Sequence, residues 1–187
     1  MPSDTKNEGG STEREKAPAV FIDRDGTLME EVHYCNDPEK VRLFPGVVGA
    51  LERLRQAGFR TILVTNQSGI GRGLISEEQY ERVHLRLIEL LGAGMLDASY
   101  MCGDPPEAHS HRRKPEPGML LEAADEWNLD LSRSWMVGDK SIDIECGSRA
   151  GVSGILVRTG HGSSQDSNGA AHVTADFPAA VQWILQH

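Results

Sequence analysis

The stretch Ala19-Val20-Phe21-Ile22-Asp23-Arg24-Asp25-Gly26-Thr27 joins a short apolar run directly to two carboxylates. Four consecutive apolar residues that end at polar ones predict a strand buried on both faces, as in a parallel sheet. Ligands bind in such sheets beyond the carboxyl ends of the strands. The two aspartates therefore mark a candidate site at the edge of a sheet.

Outward from this stretch, apolar strands alternate with amphipathic helices along the chain. Apolar runs bounded by polar residues predict further strands over residues 61–64, 98–101, 134–137 and 154–157. Apolar residues at helical spacing predict helices over residues 46–57, from the capping box of Ser76 and Gln79, from Pro117, and over 142–150. This alternation indicates an α/β domain with a mostly parallel central sheet.

The composition is that of one globular domain. The chain has 187 residues, of which 39% are hydrophobic and 25% are charged, and this length is sufficient for a buried core. Residues 1–17 lack large apolar side chains after the first methionine, so we expect a disordered tail followed by one domain over 18–187. The polar stretch Gly160 to Gly169 predicts a flexible loop.

Charge, hydropathy and cysteine usage limit the partners and the compartment. A formal net charge of −9 disfavours nucleic acids and anionic membranes, and no apolar run approaches the roughly 18–20 residues that span a bilayer. Three widely spaced cysteines do not predict a disulfide framework, and residues 1–16 lack the apolar stretch of a signal peptide. We therefore expect a cytoplasmic protein with neither a nucleic-acid nor a membrane partner, and a monomer is the default for an open single domain.

Polar residues cluster at four places where a predicted strand ends or a helix begins. These clusters are Asp23-Arg24-Asp25-Gly26-Thr27, Thr65-Asn66-Gln67-Ser68-Gly69, Arg112-Arg113-Lys114-Pro115, and Gly138-Asp139-Lys140 with Asp143 behind it. Since parallel strands end at the same edge of a sheet, we expect these clusters to lie close together.

The two carboxylates of the first cluster predict a cation and phosphoryl chemistry. Residues two apart in an extended segment point to the same side, so Asp23 and Asp25 repel unless a cation or a proton lies between them. A hard ion such as Mg²⁺ suits oxygen ligands, and Asp139 could supply a third oxygen. One carboxylate could attack phosphorus while the other moves a proton. The alternative is that Asp-Gly-Thr is simply a turn.

The other clusters predict groups that hold an anion. The Thr65 hydroxyl with turn amides could bind phosphate oxygens, and Lys114 could balance their charge. Alternatively, the threonine belongs to an ordinary turn and the basic run is solvated. Asp139 could instead cap a helix, and Asp143 could bond first-turn amides or support the site from behind.

Together these residues resemble the haloacid dehalogenase superfamily of phosphotransferases. Asp23-x-Asp25-Gly26-Thr27, Thr65, Lys114 and Gly138-Asp139-x-x-x-Asp143 match its four motifs in order, over about residues 19–159. The resemblance implies a Rossmann-like fold with helices on both faces of the sheet. It implies that Asp23 is the nucleophile and that Asp25 protonates the leaving oxygen and then activates water. Thr65 and Lys114 would hold the phosphoryl group, and Mg²⁺ would bind Asp23, the Asp25 carbonyl and Asp139.

Longer segments resemble one branch of that superfamily. Residues 21–27, 64–73, 113–119 and 136–140 are similar to the heptose bisphosphate and histidinol-phosphate phosphatases. The resemblance implies a small phosphorylated sugar as substrate, in particular D-glycero-D-manno-heptose 1,7-bisphosphate cleaved at the 7-phosphate through an aspartyl-phosphate. It implies substrate contacts from Glu31, Val32, His33, Tyr34, Thr65, Asn66, Gln67, Ser68, Arg113, Lys114 and Lys140. Alternatives are histidinol phosphate or another phosphosugar and, in other classes, a nucleic-acid 3′-phosphatase or a non-catalytic phosphoacceptor module.

The chain departs from this branch in one loop. The branch typically binds zinc through Cys-x-His and Cys-x-Cys, whereas here the corresponding residues are Cys102, Asp104, His109 and His111. Such a set could form a tetrahedral zinc site, so Zn²⁺ is a possible second metal. The alternative is a loop held by two consecutive prolines with exposed histidines.

Loop lengths predict an uncovered site. Many members of the superfamily carry a cap domain over the active site. Segments 28–45 and 103–113 are too short for a folded cap, because a cap needs its own core. We therefore expect a domain without a cap.

Overall fold

The structure, a computed structural model, describes residues 15–187. The predicted tail over residues 1–17 lies outside the described residues except for its last three. Of these, Ala17 donates a backbone hydrogen bond to Asn128 (3.1 Å) and accepts one from Asp130 (2.8 Å).

Six parallel strands form one sheet in the spatial order β3-β2-β1-β4-β5-β6. The strands are β1 (Ala19–Ile22), β2 (Arg60–Asn66), β3 (Ala98–Cys102), β4 (Trp135–Gly138), β5 (Ser153–Val157) and β6 (His172–Thr174). The helices are α1 (Val47–Gln56), α2 (Glu77–Leu91), α3 (Gly118–Glu126), α4 (Ser141–Arg149) and α5 (Phe177–Ile184). The predicted α/β class and Rossmann-like parallel sheet are confirmed.

The strand order reverses at β1, which pairs with β2 on one side and β4 on the other. Such a switch point leaves a crevice beyond the carboxyl ends of the strands, where α/β proteins bind ligands. The first, second and fourth predicted clusters lie at the carboxyl ends of β1, β2 and β4, so the topology brings them to this crevice.

Alternate residues of the central strand enter two separate cores. Val20 and Ile22 of β1 pack with α1, α2 and α5, whereas Ala19 and Phe21 pack with α3 and with Cys146 of α4. All four β1 residues are fully buried, as expected for a parallel strand covered on both faces. This arrangement confirms the predicted helices on both faces of the sheet.

The last strand and the last helix were not predicted. β6 is only three residues long and half-buried, so it lacks the continuous apolar pattern of the other strands. α5 carried a usable signal, because Asp176 caps it by accepting a hydrogen bond from the amide of Ala179 (2.9 Å). The stretch predicted as a flexible loop after β5 contains a 3-10 turn over Gly162–Ser164.

The two segments judged too short for a cap contain only short turns and one isolated bridge, between Met29 and Leu43. Within 28–45 and 103–113, the structure has one 3-10 turn each, Pro38–Lys40 and Pro106–Ala108. Loops rather than a second folded unit therefore border the crevice. Within residues 15–187, no helix is long and apolar enough to cross a membrane.

Asp97 fastens the beginning of β2 at the end of the sheet opposite the crevice. Its carboxylate accepts hydrogen bonds from the Thr61 amide (2.9 Å) and hydroxyl (3.1 Å), and from Arg55 (3.0 Å) and Arg60 (2.9 Å). Burial raises the pKa of Asp97, but the Thr61 amide and Arg60 outweigh it and hold the pKa below the ordinary value. The ionised form of Asp97 therefore stabilises the fold.

We expect Asp97→Asn to lower the free energy of unfolding at pH 7 by about 1–3 kcal/mol, because charge-assisted hydrogen bonds are lost. A carboxyl group whose pKa is lowered by folding stabilises the protein above its unfolded pKa, and this stabilisation disappears as the pH falls through the folded value. The difference from wild type should therefore shrink as the pH falls below the ordinary value of 3.8.

Urea unfolding at neutral and acidic pH measures this difference. The control is Asp125→Asn, which changes an exposed aspartate on α3 and should alter the free energy of unfolding by less than about 0.5 kcal/mol. A loss for Asp97→Asn that does not change with pH would contradict the assignment.

Candidate active site

The ends of β1, β2 and β4 surround a narrow cleft of about 40 Å³. Its lining includes the four predicted catalytic residues: Asp23, Asp25, Thr65 and Lys114. A wider pocket of about 280 Å³ adjoins it and shares Asp25, Asn66 and Lys140 with its lining. The predicted clusters thus meet at one place.

The Lys114 ammonium connects three elements at the bottom of the cleft. Its Nζ lies 2.6 Å from Asp23 Oδ1, 2.7 Å from Asp143 Oδ1 and 2.9 Å from the Val64 carbonyl oxygen. Asp23 follows β1, Val64 lies in β2 and Asp143 lies in the first turn of α4. Lys114 and Asp23 are 3% and 5% exposed, so this is a buried ion pair rather than a solvated basic run.

Asn66, the last residue of β2, holds the backbone of Lys114. Its Nδ2 donates to the Lys114 carbonyl (3.0 Å), and its Oδ1 accepts from the Lys114 amide (3.1 Å). A carboxamide side chain has both a donor and an acceptor, so it can pair with a peptide group in this way. Asn66 borders the pocket, as predicted, but its amide already has these two partners. The neighbouring Thr65 is buried, and its hydroxyl accepts from Gln67 Nε2 (2.8 Å).

Burial shifts the pKa values of the charged groups in the cleft. It raises the pKa of Asp23 to about 7, a rise that Lys114 opposes and that Asp143 and Asp139 increase. It also raises the pKa of Asp139 to about 6, against the hydrogen bond from the His161 amide. Burial disfavours the charged form of Lys114, but Asp143 and Asp23 outweigh it and raise its pKa above the ordinary value. Ionising both carboxyl groups therefore costs free energy that a cation beside them would offset.

Three buried carboxylates converge on a position that suits a divalent cation. One oxygen each of Asp23, Asp139 and Asp143 lies within 4.8 Å of the others, and Asp139 Oδ1 is buried without a hydrogen-bond partner among the described residues. A Cβ at Gly26 or Gly160 would lie 2.2 or 2.3 Å from Asp139 Oδ2, so two glycines make room for this carboxylate. Hard oxygen ligands and uncompensated negative charge fit a cation such as Mg²⁺.

Asp25 has a different environment from the one expected for two carboxylates that share a cation. Its Oδ2 accepts from Arg24 Nε (2.9 Å) and Gln67 Nε2 (2.9 Å), and its Oδ1 accepts from Arg24 Nη2 (3.1 Å). Asp23 faces Lys114 instead, so each carboxylate has its own basic partner. Both side chains still line the same narrow cleft, although the chain turns at Asp25 and forms an isolated bridge with Met29.

Asp143 performs both of the tasks that its position allowed. Its Oδ2 accepts a hydrogen bond from the Lys140 amide (3.0 Å), which satisfies a backbone donor at the beginning of α4. Its other oxygen contacts Lys114. Asp139 lies outside the helix and points into the carboxylate cluster, so the interpretation of Asp139 as a helix cap is wrong.

The wider pocket collects most of the residues predicted to contact substrate. Its lining includes Glu31, Val32, His33, Tyr34, Asn66, Gln67, Ser68, Arg113 and Lys140. The remaining two, Thr65 and Lys114, line the narrow cleft. All of the predicted positions therefore border one continuous region.

His161 also lines this pocket, although sequence reasoning assigned it to a flexible loop. Its amide donates to Asp139 Oδ2 (2.7 Å), and its ring Nε2 lies 3.6 Å from Glu31, whose carboxylate also contacts Lys140 (3.3 Å). The signal that could have found His161 is its place just beyond an apolar strand, β5. The same rule located the other clusters.

The predicted zinc ligands do not converge. Cys102 Sγ lies 3.6 Å from Asp104 Oδ2, but His109 is exposed and the His111 side chain is 82% exposed, 3.8 Å from Glu122 of α3. Across residues 15–187, the aspartate cluster is the only group of three or more such ligands within 4.8 Å. The loop returns to Cys102, whose Sγ lies 3.9 Å from the Ser110 hydroxyl, but the histidines on either side of Ser110 are exposed, so this arrangement does not fit a tetrahedral zinc site.

Comparisons with known proteins agree with this geometry. A family model described as HAD-hydrolase-like matches residues 111–180. The D-glycero-D-manno-heptose-1,7-bisphosphate 7-phosphatase of Thermosynechococcus vestitus is 44% identical over 189 residues, which cover 91% of this chain and 96% of the relative. The D-glycero-beta-D-manno-heptose-1,7-bisphosphate 7-phosphatase of Escherichia coli is 36% identical and covers 88% and 94% of the two chains.

A solved structure shows the same fold. The D,D-heptose 1,7-bisphosphate phosphatase of B. bronchiseptica, complexed with magnesium and phosphate, aligns with a TM-score of 0.83 and 31% identity. The alignment covers 90% of this chain and 98% of that one. The chain therefore belongs to the D-glycero-D-manno-heptose-1,7-bisphosphate 7-phosphatase family of HAD-like hydrolases.

Proposed function

We propose that this protein is a magnesium-dependent phosphatase that removes the 7-phosphate of D-glycero-D-manno-heptose 1,7-bisphosphate through an aspartyl-phosphate. The observation that carries the chemistry is Asp23, a buried carboxylate at the end of β1 that lines the narrow cleft and lies 2.6 Å from Lys114. The substrate is inferred from the relatives, which bear this activity in their names over nearly their full length.

The proposed first stage transfers the phosphoryl group to Asp23. A carboxylate oxygen of Asp23 attacks phosphorus, and the bond from phosphorus to the sugar oxygen breaks. Asp25 gives its proton to that oxygen as it leaves. Lys114 and the Thr65 hydroxyl, which border the same cleft, balance and orient the phosphoryl oxygens.

The proposed second stage releases phosphate from Asp23. Asp25 takes a proton from water, and the water oxygen attacks phosphorus. The bond between phosphorus and the Asp23 oxygen breaks, and its electron pair returns to the Asp23 carboxylate. Asp23, Asp139 and the Asp25 carbonyl would hold Mg²⁺, which supplies charge neutralisation for the transferred phosphoryl group. The carboxylate cluster supports Asp23 and Asp139 as ligands, whereas its third member, Asp143, contacts Lys114.

The wider pocket supports a small polar substrate. Its volume of about 280 Å³ and its polar lining suit a phosphosugar. Arg113, Lys140 and His161 place basic groups around it.

The free state of all three cysteines supports the expected reducing cytoplasm. A monomer without nucleic-acid or membrane partners stays part of the proposal.

We expect Asp23→Asn to lower kcat by at least about 10³-fold, because the amide oxygen is a poor nucleophile. The variant should remain folded, since Lys114 keeps its contact with Asp143. Steady-state phosphate release and thermal unfolding measure the two properties. Asp125→Asn, an aspartate outside the site, is the matched control, and retained turnover in Asp23→Asn would falsify the nucleophile assignment.

A panel of phosphate esters tests the substrate. We expect kcat/KM to be highest for heptose 1,7-bisphosphate, ahead of histidinol phosphate and hexose phosphates, because the pocket is polar and carries basic groups beyond the cleft. The order of kcat/KM at one magnesium concentration decides this. A clear preference for histidinol phosphate would reject the heptose assignment in favour of the alternative in the same branch.

Metal removal tests the carboxylate cluster. We expect a chelator to abolish turnover, and added Mg²⁺ to restore it and to raise the temperature of unfolding, because the cation offsets repulsion among buried carboxylates. Asp139→Asn should raise the Mg²⁺ concentration needed for both effects. Asp166→Asn, outside the cleft, should leave that concentration unchanged, and an unaltered Mg²⁺ requirement in Asp139→Asn would remove Asp139 from the ligand set.

A further inference from the structure

Arg24 is a buried cation that the proposed chemistry does not use. Its side chain is 1% exposed, and its Nη1 is buried without a hydrogen-bond partner among residues 15–187. The guanidinium carbon lies 5.5 Å from the centre of the Tyr80 ring. Burying an arginine with an unsatisfied nitrogen costs stability, so a stabilising role accounts poorly for its presence.

The other two nitrogens of this guanidinium grip the Asp25 carboxylate. Arg24 Nε donates to Oδ2 (2.9 Å) and Arg24 Nη2 donates to Oδ1 (3.1 Å). This two-point contact fixes the plane of the carboxylate, which a single hydrogen bond does not do. Asp25 is itself 13% exposed on the side chain and lines both the cleft and the wider pocket. The two-point contact from Arg24 therefore acts on a carboxylate, that of Asp25, which still faces the substrate region.

Gln67 adds a third hydrogen bond to the Asp25 carboxylate, and one lone pair of that carboxylate remains open. Each carboxylate oxygen offers two lone pairs. On Oδ2 both are used, by Arg24 Nε and by Gln67 Nε2 (2.9 Å), whereas on Oδ1 only Arg24 Nη2 is bound. The described contacts thus leave one lone pair, on Oδ1, where a proton can reside.

We propose that Arg24 is a positioning residue that, with Gln67, orients Asp25 so that Oδ1 is the atom that gives and takes the proton. This inference rests on the proposed role of Asp25. In the first stage the proton on Oδ1 passes to the leaving oxygen, which keeps the electron pair of the broken phosphorus–oxygen bond. In the second stage Oδ1 takes a proton from the attacking water.

Two aryl phosphates of similar size test the role of Arg24 in the first stage. Nitrophenolate is a stable anion that leaves without a proton, whereas phenolate is more basic and benefits from one. We expect Arg24→Met to lower kcat/KM for phenyl phosphate by at least about 100-fold and for p-nitrophenyl phosphate by less than about threefold, since general acid catalysis is worth about 10²–10⁴-fold.

The second stage gives a separate readout. With p-nitrophenyl phosphate, Arg24→Met should lower kcat and KM together, because slow hydrolysis of the aspartyl-phosphate then limits turnover. Rapid mixing should show a burst of nitrophenolate close to one equivalent per site. If Arg24 had a merely structural role, Arg24→Met would show neither the different losses for the two esters nor the burst of nitrophenolate.

A matched control removes a comparable ion pair elsewhere. Arg55→Met breaks the contact with Asp97 at the opposite end of the sheet (3.0 Å), and it should affect both esters equally and little. Arg24→Lys keeps the buried charge without the two-point contact. If Arg24→Met does not fold, the two aryl phosphates are compared with Arg24→Lys instead.

The outcomes are distinct from those of the proposed function. Equal losses for the two aryl esters, or no loss, would overturn the role of Arg24. Turnover of heptose bisphosphate by the wild-type protein tests the proposed function, because the aryl comparison does not depend on which sugar is the substrate.

Discussion

The buried ammonium group of Lys114 is the contact on which the site depends. It joins Asp23 after β1, the Val64 carbonyl in β2 and Asp143 in α4 at distances of 2.6–2.9 Å. A buried charge is stable only with well-placed partners. The ends of three elements must therefore stay in register around one atom, and Asn66 holds the lysine backbone at that position.

The sheet provides this register, and small residues provide the space. β1 lies between β2 and β4, so these three strands end side by side. The chain segments that follow the three strands therefore start close together and then separate. Gly138, the last residue of β4, shows this space requirement at Asp143, since a Cβ there would lie 2.3 Å from Asp143 Oδ2. Any side chain at that position would push Asp143 away from Lys114.

Charge organises the site in a way that the whole-chain balance conceals. The chain carries a net charge of −9, yet its site binds phosphate in the proposed function. Three aspartates gather where a cation fits, while Lys114 and Arg24 are buried beside the two carboxylates of the first motif. The net charge of the chain affects how distant partners approach, through long-range electric fields. Phosphate chemistry instead depends on contacts shorter than a few ångströms.

The sequence by itself determined five of the six strands of the sheet, their polar ends and the candidate residues Asp23, Thr65, Lys114 and Asp139, because each signal lies within a few neighbouring residues. Only the tertiary structure decided which side chains meet. It paired Arg24 and Gln67 with Asp25, brought His161 to Glu31 and left the His111 side chain exposed beside Glu122. Gln67 lies 42 residues from Asp25, and contacts at such separations follow from the order and register of the strands. A local pattern marks where a polar residue leaves a strand, and the packing of the whole sheet determines its partner.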